Sequence, residues 1–375
     1  MEPSSSADQD GPIVQVEPRA APDLHRMVAF RPLGWVARYL ALLAPLACTV
    51  SAAPPDDHRV VIYYQTGGGS SNHVSLLPLI QAESTISVTH VLIAALHVID
   101  DDGGLHLNDN PPNDPTFDTM WSEAAQLQAA GVKVMCMVGG AAAGSYSRLD
   151  GDDASFEKYY GPLHDLIGAH NLQGLDLDVE ENFSLNGVIR LIDRLKADFG
   201  SDFIITLAPV AAALTEGGGN LSGFSYFDLE AQRGSSIAFY NAQFYFGWGN
   251  AGSASDYESI VDDGFAANRV VMGILSNPAN GNGFVDLDSE APVLQELVTE
   301  NGNFGGVANW EYFNSLPGGT AAPYQWASWM AQHMVAAKKM ARREISTSEA
   351  LWRGVRKLGR RVRREAKKSY HNYIA

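Results

Sequence analysis

The chain has 375 residues, 46% of them hydrophobic, which is enough for a large core in one barrel of roughly 250 residues or in two smaller domains. The formal net charge is −17, but Lys338 to Ala375 holds 13 lysines and arginines against three glutamates, so this tail carries about +10 and the rest about −27. An acidic body of this kind argues against nucleic acid as the main partner.

The N-terminal region resembles a secretory signal. Residues 1–26 are polar and irregular, and Met27 then opens a segment with two arginines and the apolar run Tyr39–Val50. Small residues up to Ala52 form a plausible cleavage site, so residues 27–52 are interpreted as a signal peptide and the protein as secreted. Either Met1 or Met27 is the initiator. The alternative is an uncleaved signal-anchor, although 12 apolar residues are short for a membrane span.

Cysteines and glycosylation sites fit an exported protein without deciding the matter. Removal of the signal leaves Cys136 as a single cysteine, so no internal disulfide is expected. Asn182-Phe183-Ser184 and Asn220-Leu221-Ser222 match the N-glycosylation triplet, a pattern that is also common by chance.

Strand and helix patterns alternate between the signal and the tail. Predicted strands are 59–64, 88–97, 132–138, 172–179, 203–209, 238–245, 269–275 and 305–310, and predicted helices include 117–130, 154–170, 184–199, 256–266 and 291–300. Eight strands with intervening helices predict an α/β fold, a single closed (β/α)8 TIM barrel over residues 53–337. Chemistry in such barrels lies at the C-terminal ends of the strands.

Residues 173–180, Gln-Gly-Leu-Asp-Leu-Asp-Val-Glu, carry the strongest functional pattern. Asp176, Asp178 and Glu180 alternate with aliphatic residues, which is the period of a β-strand, so the three acids share one face. Neighbouring carboxylates repel one another, so placing three of them together does not stabilise a folded core. They suit an active site that must keep one acid protonated.

The same three acids could instead bind a divalent cation if they lay on a loop. They lie on an apolar predicted strand, and the sequence offers no further convergent ligands. We therefore expect neither a metal nor another cofactor.

Four motifs in order resemble glycoside hydrolase family 18. Gly174 to Glu180 resembles the family's strand-four signature, and Gly139-Gly140 resembles the end of its strand-three motif. Gln243-Phe244-Tyr245 and Trp310 fall where the family places its tyrosine motif and its tryptophan beneath the sugar. The resemblance covers roughly residues 59–335 and implies a glycosidase on a TIM barrel.

Two departures from the family's usual motifs indicate a narrower group within the family. Gln173 replaces the first Asp of the signature, and Met137 replaces a serine of the strand-three motif. With the segments 220–226 and 310–319, these departures resemble the family's fungal secreted endo-β-N-acetylglucosaminidases. That resemblance implies cleavage between the two core N-acetylglucosamines of high-mannose N-glycans.

The resemblance also implies a mechanism in which the substrate supplies the nucleophile. Glu180 would protonate the bridging oxygen, and the carbonyl oxygen of the substrate's own 2-acetamido group would attack the anomeric carbon. Asp178 would accept the acetamide N–H, and Tyr245 would donate its hydroxyl to the acetamide oxygen. Water would then open the oxazolinium with retention of configuration.

Four further residues are expected to support this centre. Asp176 would tune Asp178, and Gln173 is expected to help satisfy the buried acids. Trp310 would offer an apolar floor to the sugar, although it could be a core residue. Gln243 could equally contact sugar or form internal hydrogen bonds.

Three functions remain open from the sequence. They are an endoglycosidase acting on the N-linked glycans of glycoproteins, a chitinase acting on chitooligosaccharides, and a non-catalytic lectin. Intact Glu180, Asp178 and Tyr245 argue against the lectin. We expect a monomer without a stable membrane span.

The tail, residues 338–375, contains a basic amphipathic pattern. Leu351, Val355, Leu358 and Val362 follow a helical spacing among many arginines. This pattern could bind an anionic membrane or cell wall. A solvated extension is the favoured interpretation.

Overall fold

A closed barrel of eight parallel strands forms the centre of the molecule. The computed structural model describes residues 58–65, 73–101, 104–344 and 356–365. Its strands are β1 (Arg59–Gln65), β2 (His90–Val98), β3 (Leu105–Leu107), β4 (Lys133–Gly139), β5 (Gly174–Asp178), β6 (Ile204–Leu207), β7 (Phe239–Gln243), β8 (Val270–Leu275) and β9 (Gly306–Trp310). Parallel pairing runs from β1 through β9 back to β2, and β1 pairs with β2 to close the barrel. The predicted TIM barrel is therefore confirmed.

Helices connect successive strands on the outside of this barrel. They are α1 (Pro78–Gln81), α2 (Asp118–Ala129), α3 (Ser145–Leu149), α4 (Asp153–Ala169), α5 (Leu185–Phe199), α6 (Tyr226–Arg233), α7 (Ser255–Asp263), α8 (Leu287–Glu300) and α9 (Gln325–Glu344). All eight predicted barrel strands are present, and so are the five predicted helices with shifted ends. The short strand β3, which pairs antiparallel with β2, was not predicted.

Helix α5, which follows the acid-bearing strand, shows why these segments fold outside the barrel. Its buried side chains Val188, Leu191, Ile192 and Leu195 recur at helical spacing and form one apolar face. The Ser184 hydroxyl caps the helix by accepting the Gly187 N–H at 2.9 Å. The chain therefore turns directly from the end of β5 into a helix that packs back on the barrel.

Strand alternation divides the core into two parts. On β5, Leu175 and Leu177 belong to the layer between strands and helices, whereas Asp176 and Asp178 face the interior. The apolar part of the interior is a separate cluster: Val61, Tyr63, Leu92, Ala94, Ala95, Met135, Met137, Phe239, Val271 and Ala308. The interior is thus a packed core with polar groups near its C-terminal end.

The N-terminal ends of the strands close the base of the barrel. The Arg59 guanidinium lies 4.5 Å from the centre of the Phe239 ring. The His90 ring packs edge-on against the same ring at 5.1 Å. Cationic and aromatic side chains thus pack together at the base of the barrel.

The predicted boundary between barrel and tail at residue 338 falls inside α9, because the helical pattern continues to Glu344. A further helix spans residues 356–365. Its Arg360 contacts Glu258 of α7 at 2.9 Å and Glu300 of α8 at 3.3 Å. The predicted signal segment lies outside the described residues. None of the described helices combines the length and apolar character that crossing a bilayer needs.

Candidate active site

Strand β5 carries two carboxylates into the barrel interior. Asp176 and Asp178 are 0% and 5% exposed, and each pairs through the backbone with β4, where Asp178 is opposite Gly139. Glu180 lies two residues beyond the strand end and is partly buried. The alternation predicted from sequence therefore places the three acids in a row that rises toward the open end of the barrel.

Asp176, the deepest acid, is surrounded by donors. It accepts hydrogen bonds from the Tyr63 hydroxyl at 2.6 Å, the Thr206 hydroxyl at 2.5 Å and the Asn241 amide at 3.1 Å. Burial raises the pKa of Asp176, and these three donors oppose that shift. Asp176 is thus held in one orientation beneath Asp178.

Asp178 and Glu180 share one amide donor. Gln243 Nε2 lies 3.0 Å from Asp178 Oδ1 and 3.2 Å from Glu180 Oε1, and it also contacts the Ala208 carbonyl oxygen at 2.9 Å. Burial raises the pKa of Asp178 well above its usual value, and the charges of Glu180 and Asp176 raise it further. Gln243 therefore forms internal hydrogen bonds, one of the two roles left open for it, and a contact with sugar stays a prediction.

Two aromatic side chains complete the centre. Tyr245 is 8% exposed, and its hydroxyl has no hydrogen-bond partner among the described residues. Burial and the neighbouring carboxylates Asp178 and Glu180 raise its pKa well above 10, so it remains a donor. Trp310 is partly buried and packs edge-on against Tyr63 with 5.7 Å between ring centres. Both aromatics line one small cavity with Asp178 and Gln243.

The Gly139-Gly140 pair allows β4 to approach the acids closely. Both glycines have positive φ angles, 93° and 88°. A Cβ at Gly139 would lie 2.4 Å from the Asp178 carbonyl oxygen, a distance that backbone atoms cannot accommodate. The Gly140 N–H donates to that same oxygen at 2.9 Å. Glycine is therefore required for the backbone that supports Asp178.

The expectation for Gln173 was wrong. Its Oε1 accepts the Val134 N–H at 2.7 Å and its Nε2 donates to the Asn171 carbonyl at 2.7 Å, both near the start of the strands. The physical reason is strand alternation, because an odd-numbered residue on β5 faces away from Asp176 and Asp178. Gln173 links β4 to β5 and takes no part in the acid cluster.

Sequence reasoning missed the partners of Asp176. Asn241 alternates with Gln243 on β7 and with Tyr245 just beyond its end, so period two could have identified it. Tyr63 and Thr206 come from β1 and β6, and only the register of those strands brings them to Asp176. Glu311, which follows Trp310, was also missed. Burial raises its pKa to about 7.

This arrangement suits acid chemistry beside a hydrogen-bond donor. Burial and the neighbouring carboxylates Glu180 and Asp176 disfavour the ionised form of Asp178 and raise its pKa. Tyr245 supplies a fixed phenolic donor to the same cavity. Within the described part of the chain, no group of three or more metal-ligating side chains converges.

Comparison with known proteins places this site in context. The sequence matches the glycosyl hydrolases of family 18 over residues 59–277. Endochitinase 4 of Metarhizium anisopliae is 25% identical over 226 residues, which are 50% of this chain and 77% of that protein. Chitinase 2 of Rhizopus oligosporus is 26% identical over 208 residues, 51% of this chain and 36% of that one.

Two solved structures are more similar. A fungal endo-β-N-acetylglucosaminidase from glycosyl hydrolase family 18 has 50% sequence identity and a TM-score of 0.69, covering 73% of this chain and 97% of that one. A chitinase, ChiC, from Aspergillus fumigatus has 54% identity and a TM-score of 0.67, covering 74% of this chain and 99% of that one. The similarity therefore covers almost the whole of the two solved structures and about three quarters of this chain.

Proposed function

Because this chain belongs to the glycosyl hydrolases of family 18, we propose that it is a retaining endo-β-N-acetylglucosaminidase that cleaves the chitobiose core of high-mannose N-glycans. The observation that carries the proposal is the convergence of Asp178, Tyr245 and Trp310 on one cavity, with Glu180 joined to Asp178 through Gln243. Cleavage leaves one N-acetylglucosamine on the asparagine.

In the proposed reaction the substrate's 2-acetamido group is the nucleophile. Glu180 protonates the bridging oxygen while the acetamido carbonyl oxygen attacks the anomeric carbon and forms an oxazolinium ion. Asp178 accepts the acetamide N–H and offsets the positive charge that develops on the ring. Glu180, now a carboxylate, deprotonates the water that opens the oxazolinium, so configuration is retained.

Tyr245 and Trp310 hold the reacting group in place. The Tyr245 hydroxyl, which has no partner among the described residues, donates to the acetamido oxygen and keeps it in line for attack. Trp310 supplies an apolar surface for the sugar ring. Neither role needs a protein nucleophile, and Asp176 stays bound by its three donors throughout.

One observation favours the N-glycan core over chitin, since the identities to the endo-β-N-acetylglucosaminidase and to the chitinase, 50% and 54%, do not separate the two activities. Phe246, where related chitinases often have asparagine, is 53% exposed and packs edge-on against Tyr245 at 5.5 Å. A large aromatic at this position removes an amide that would line a cleft for a linear polymer.

The deciding experiment is a pair of incubations, one with a high-mannose glycoprotein and one with chitin oligomers, followed by mass analysis of the products. Release of a glycan that lacks one core sugar supports the proposal. Degradation of chitin beside an untouched glycoprotein contradicts it.

A chitinase is the second candidate, because the chain is also 54% identical to a structure described as a chitinase. It would use the same acids and the same acetamido nucleophile on a linear polymer. The two incubations above separate the candidates directly.

We also propose that the protein is secreted after removal of residues 27–52. The support is the sequence pattern alone, a charged start, 12 apolar residues and a small-residue site. N-terminal sequencing of the native protein should find a start near Ala53 in the culture medium. A start at Met1 in a cytosolic fraction would contradict this proposal.

A further inference from the structure

The helix of residues 356–365 concentrates positive charge on an otherwise acidic molecule. We call it the basic helix. Its ten residues include six lysines and arginines and one glutamate, whereas the chain before residue 338 carries about −27. Nothing in the reaction described above uses this helix.

Arginine side chains attach the basic helix to the barrel. Arg360 contacts Glu258 of α7 at 2.9 Å and Glu300 of α8 at 3.3 Å. Arg356 adds a contact with Glu300 at 3.4 Å, and Arg364 is partly buried. One arginine-rich side of the helix therefore faces the barrel, and the opposite side faces outward.

The outward side of the basic helix carries two apolar side chains. Leu358 and Val362 are 61% and 60% exposed, and they are two of the four large apolar side chains exposed in the described part of the chain. They are four residues apart, so they lie side by side on the helix surface. An amphipathic helix that packs on a protein core buries such a pair. Here arginines contact the barrel instead, and the apolar pair is left for another surface.

Positive charges surround this apolar pair. Lys357, Arg361 and Arg363 are exposed, and none of them forms an ion pair within the part of the chain that the structure describes. Apolar side chains next to exposed lysines and arginines are typical of helices that lie in a membrane–water interface. The apolar groups enter between lipid headgroups, and the cations are attracted to anionic lipids.

A cavity of about 600 Å³ lies between the basic helix and the ends of α7 and α8. Arg364 and Asn301 line it, and their Nε and Nδ2 atoms are buried without a hydrogen-bond partner among the described residues. Basic side chains on its walls outnumber acidic ones by four to three, and Glu300, one of those acids, is paired with Arg360. Unpaired guanidinium and amide donors suit the phosphate oxygens of a lipid headgroup.

Charge and apolar character together distinguish a lipid surface from other partners. A second copy of the chain would bring the same cationic helix, which repels the first. A neutral polysaccharide offers neither negative charge nor an apolar phase for Leu358 and Val362. An anionic phospholipid surface offers both.

We propose that the outward side of the basic helix binds the enzyme reversibly to an anionic phospholipid surface. Leu358 and Val362 insert between the headgroups, and Lys357, Arg361 and Arg363 pair with them. This inference does not depend on which glycan the enzyme cleaves.

Such binding leaves the acid row accessible. The cavity beside the basic helix is lined by the last turns of α7 and α8 and by the segments that lead into β8 and β9. These segments lie at the base of the barrel, whereas Glu180 follows the end of β5 at the open end. An anionic surface also repels the acidic remainder of the protein, which favours the same orientation.

The test is sedimentation of the full chain with two kinds of vesicle, phosphatidylcholine alone and an equal mixture of phosphatidylcholine and phosphatidylserine. Each basic residue near an anionic surface strengthens binding by about fivefold, so the mixed vesicles should bind on the order of 100-fold more tightly. Added salt should weaken this binding.

Two variants remove the two kinds of contact separately. Leu358→Ser/Val362→Ser should weaken binding to the mixed vesicles by about 10–100-fold, because the apolar insertion is lost. Lys357→Gln/Arg361→Gln/Arg363→Gln should weaken it by on the order of 100-fold. Both should keep kcat/KM on a soluble substrate, which verifies that they fold.

Phe246→Asn is the matched control, because Phe246 is also an exposed apolar residue, 53% exposed, but follows β7 at the open end. It should bind the mixed vesicles as the unchanged chain does, and all of these chains share residues 1–52 with their own apolar run. Equal affinity for the two kinds of vesicle, or an equal loss in Phe246→Asn, overturns the inference. So does calorimetric binding of inorganic phosphate without vesicle binding, or a vesicle-independent dimer that the serine variant abolishes.

Discussion

The two ends of the barrel interior both bury ionisable groups, but they treat them differently. At the base, burial and the nearby charges of Arg59 and Lys133 lower the pKa of His90 to about 3, so its ring is neutral. Arg59, which is partly buried at the base, donates to the Asn268 carbonyl at 2.7 Å and lies over Phe239. His90 is thus uncharged, and the Arg59 cation has a polar and an aromatic partner.

At the open end like charges face one another instead. Asp176, Asp178 and Glu180 follow each other along one strand, with a single amide shared between the upper two. No cationic side chain forms an ion pair with them among the described residues. The fold compensates the ionisable groups at the base but places like charges together at the open end. This difference indicates that the carboxylates at the open end have a catalytic role.

The largest expected effect comes from removing the acid at the top of the row. Glu180→Gln should lower turnover by about 10²–10⁴-fold, because general acid catalysis contributes that much, while the shape of the side chain is preserved. Hydrolysis of a high-mannose glycopeptide measures the loss, and circular dichroism verifies the fold.

The neighbouring residue provides a matched control. Glu181 Oε1 accepts the N–H groups of Gly144 and Tyr146, both at 2.8 Å, and takes no part in the acid row. Glu181→Gln retains an acceptor and should keep most of the activity. Near-normal turnover in Glu180→Gln would refute the assignment of the acid.

The next prediction concerns His90 at the base of the barrel and is tested by the pH dependence of stability. The unfolded chain protonates His90 below about pH 6.5, whereas the folded protein does so only near pH 3. Stability is therefore lost as pH falls through this window, and His90→Phe should reduce that loss. The expected reduction between pH 7 and pH 4 is about 3 kcal/mol, since one pKa unit corresponds to about 1.4 kcal/mol. Urea unfolding at both pH values measures it.

The open end should show the opposite sign. Because the pKa of Asp178 is raised, the folded state keeps its proton at a pH where the unfolded chain has released it, so stability falls as pH rises. Asp178→Asn should weaken that decline without changing the acid-side loss. If both variants altered the same side of the profile, the contrast between the two ends would be incorrect.

A smaller loss of turnover is expected when the hydroxyl of Tyr245 is removed. Tyr245→Phe removes a hydroxyl that would orient the acetamido oxygen, and loss of one such donor typically lowers kcat by on the order of 10²-fold. The effect should fall on kcat more than on KM, because the interaction strengthens as the oxazolinium forms. Steady-state kinetics on a glycopeptide separates the two, and an unchanged kcat would assign Tyr245 to the core.

Much of this contrast was visible in the sequence. The barrel followed from eight strand patterns alternating with helices, and the acid row followed from period two within a single strand. The donors around Asp176 did not follow, because Tyr63 and Thr206 reach it only through the register of three strands. Strand β3 has only three residues, which are too few for a periodic pattern to be recognised in the sequence. Gln173 was misassigned although its parity with Leu175 and Leu177 already placed it on the outer face.

The smallest effect concerns the two glutamines that the sequence placed in one site. Gln173→Ala should leave kcat/KM within about twofold, because its amide joins β4 to β5 near the strand starts. It should lower the free energy of unfolding by about 1–3 kcal/mol, since the Val134 N–H loses its acceptor. Gln243→Ala removes the donor shared by Asp178 and Glu180 and should lower kcat/KM by at least tenfold more, a difference of about 1.4 kcal/mol. Kinetics and urea unfolding on both variants measure the two quantities, and comparable kinetic losses would return Gln173 to the catalytic centre.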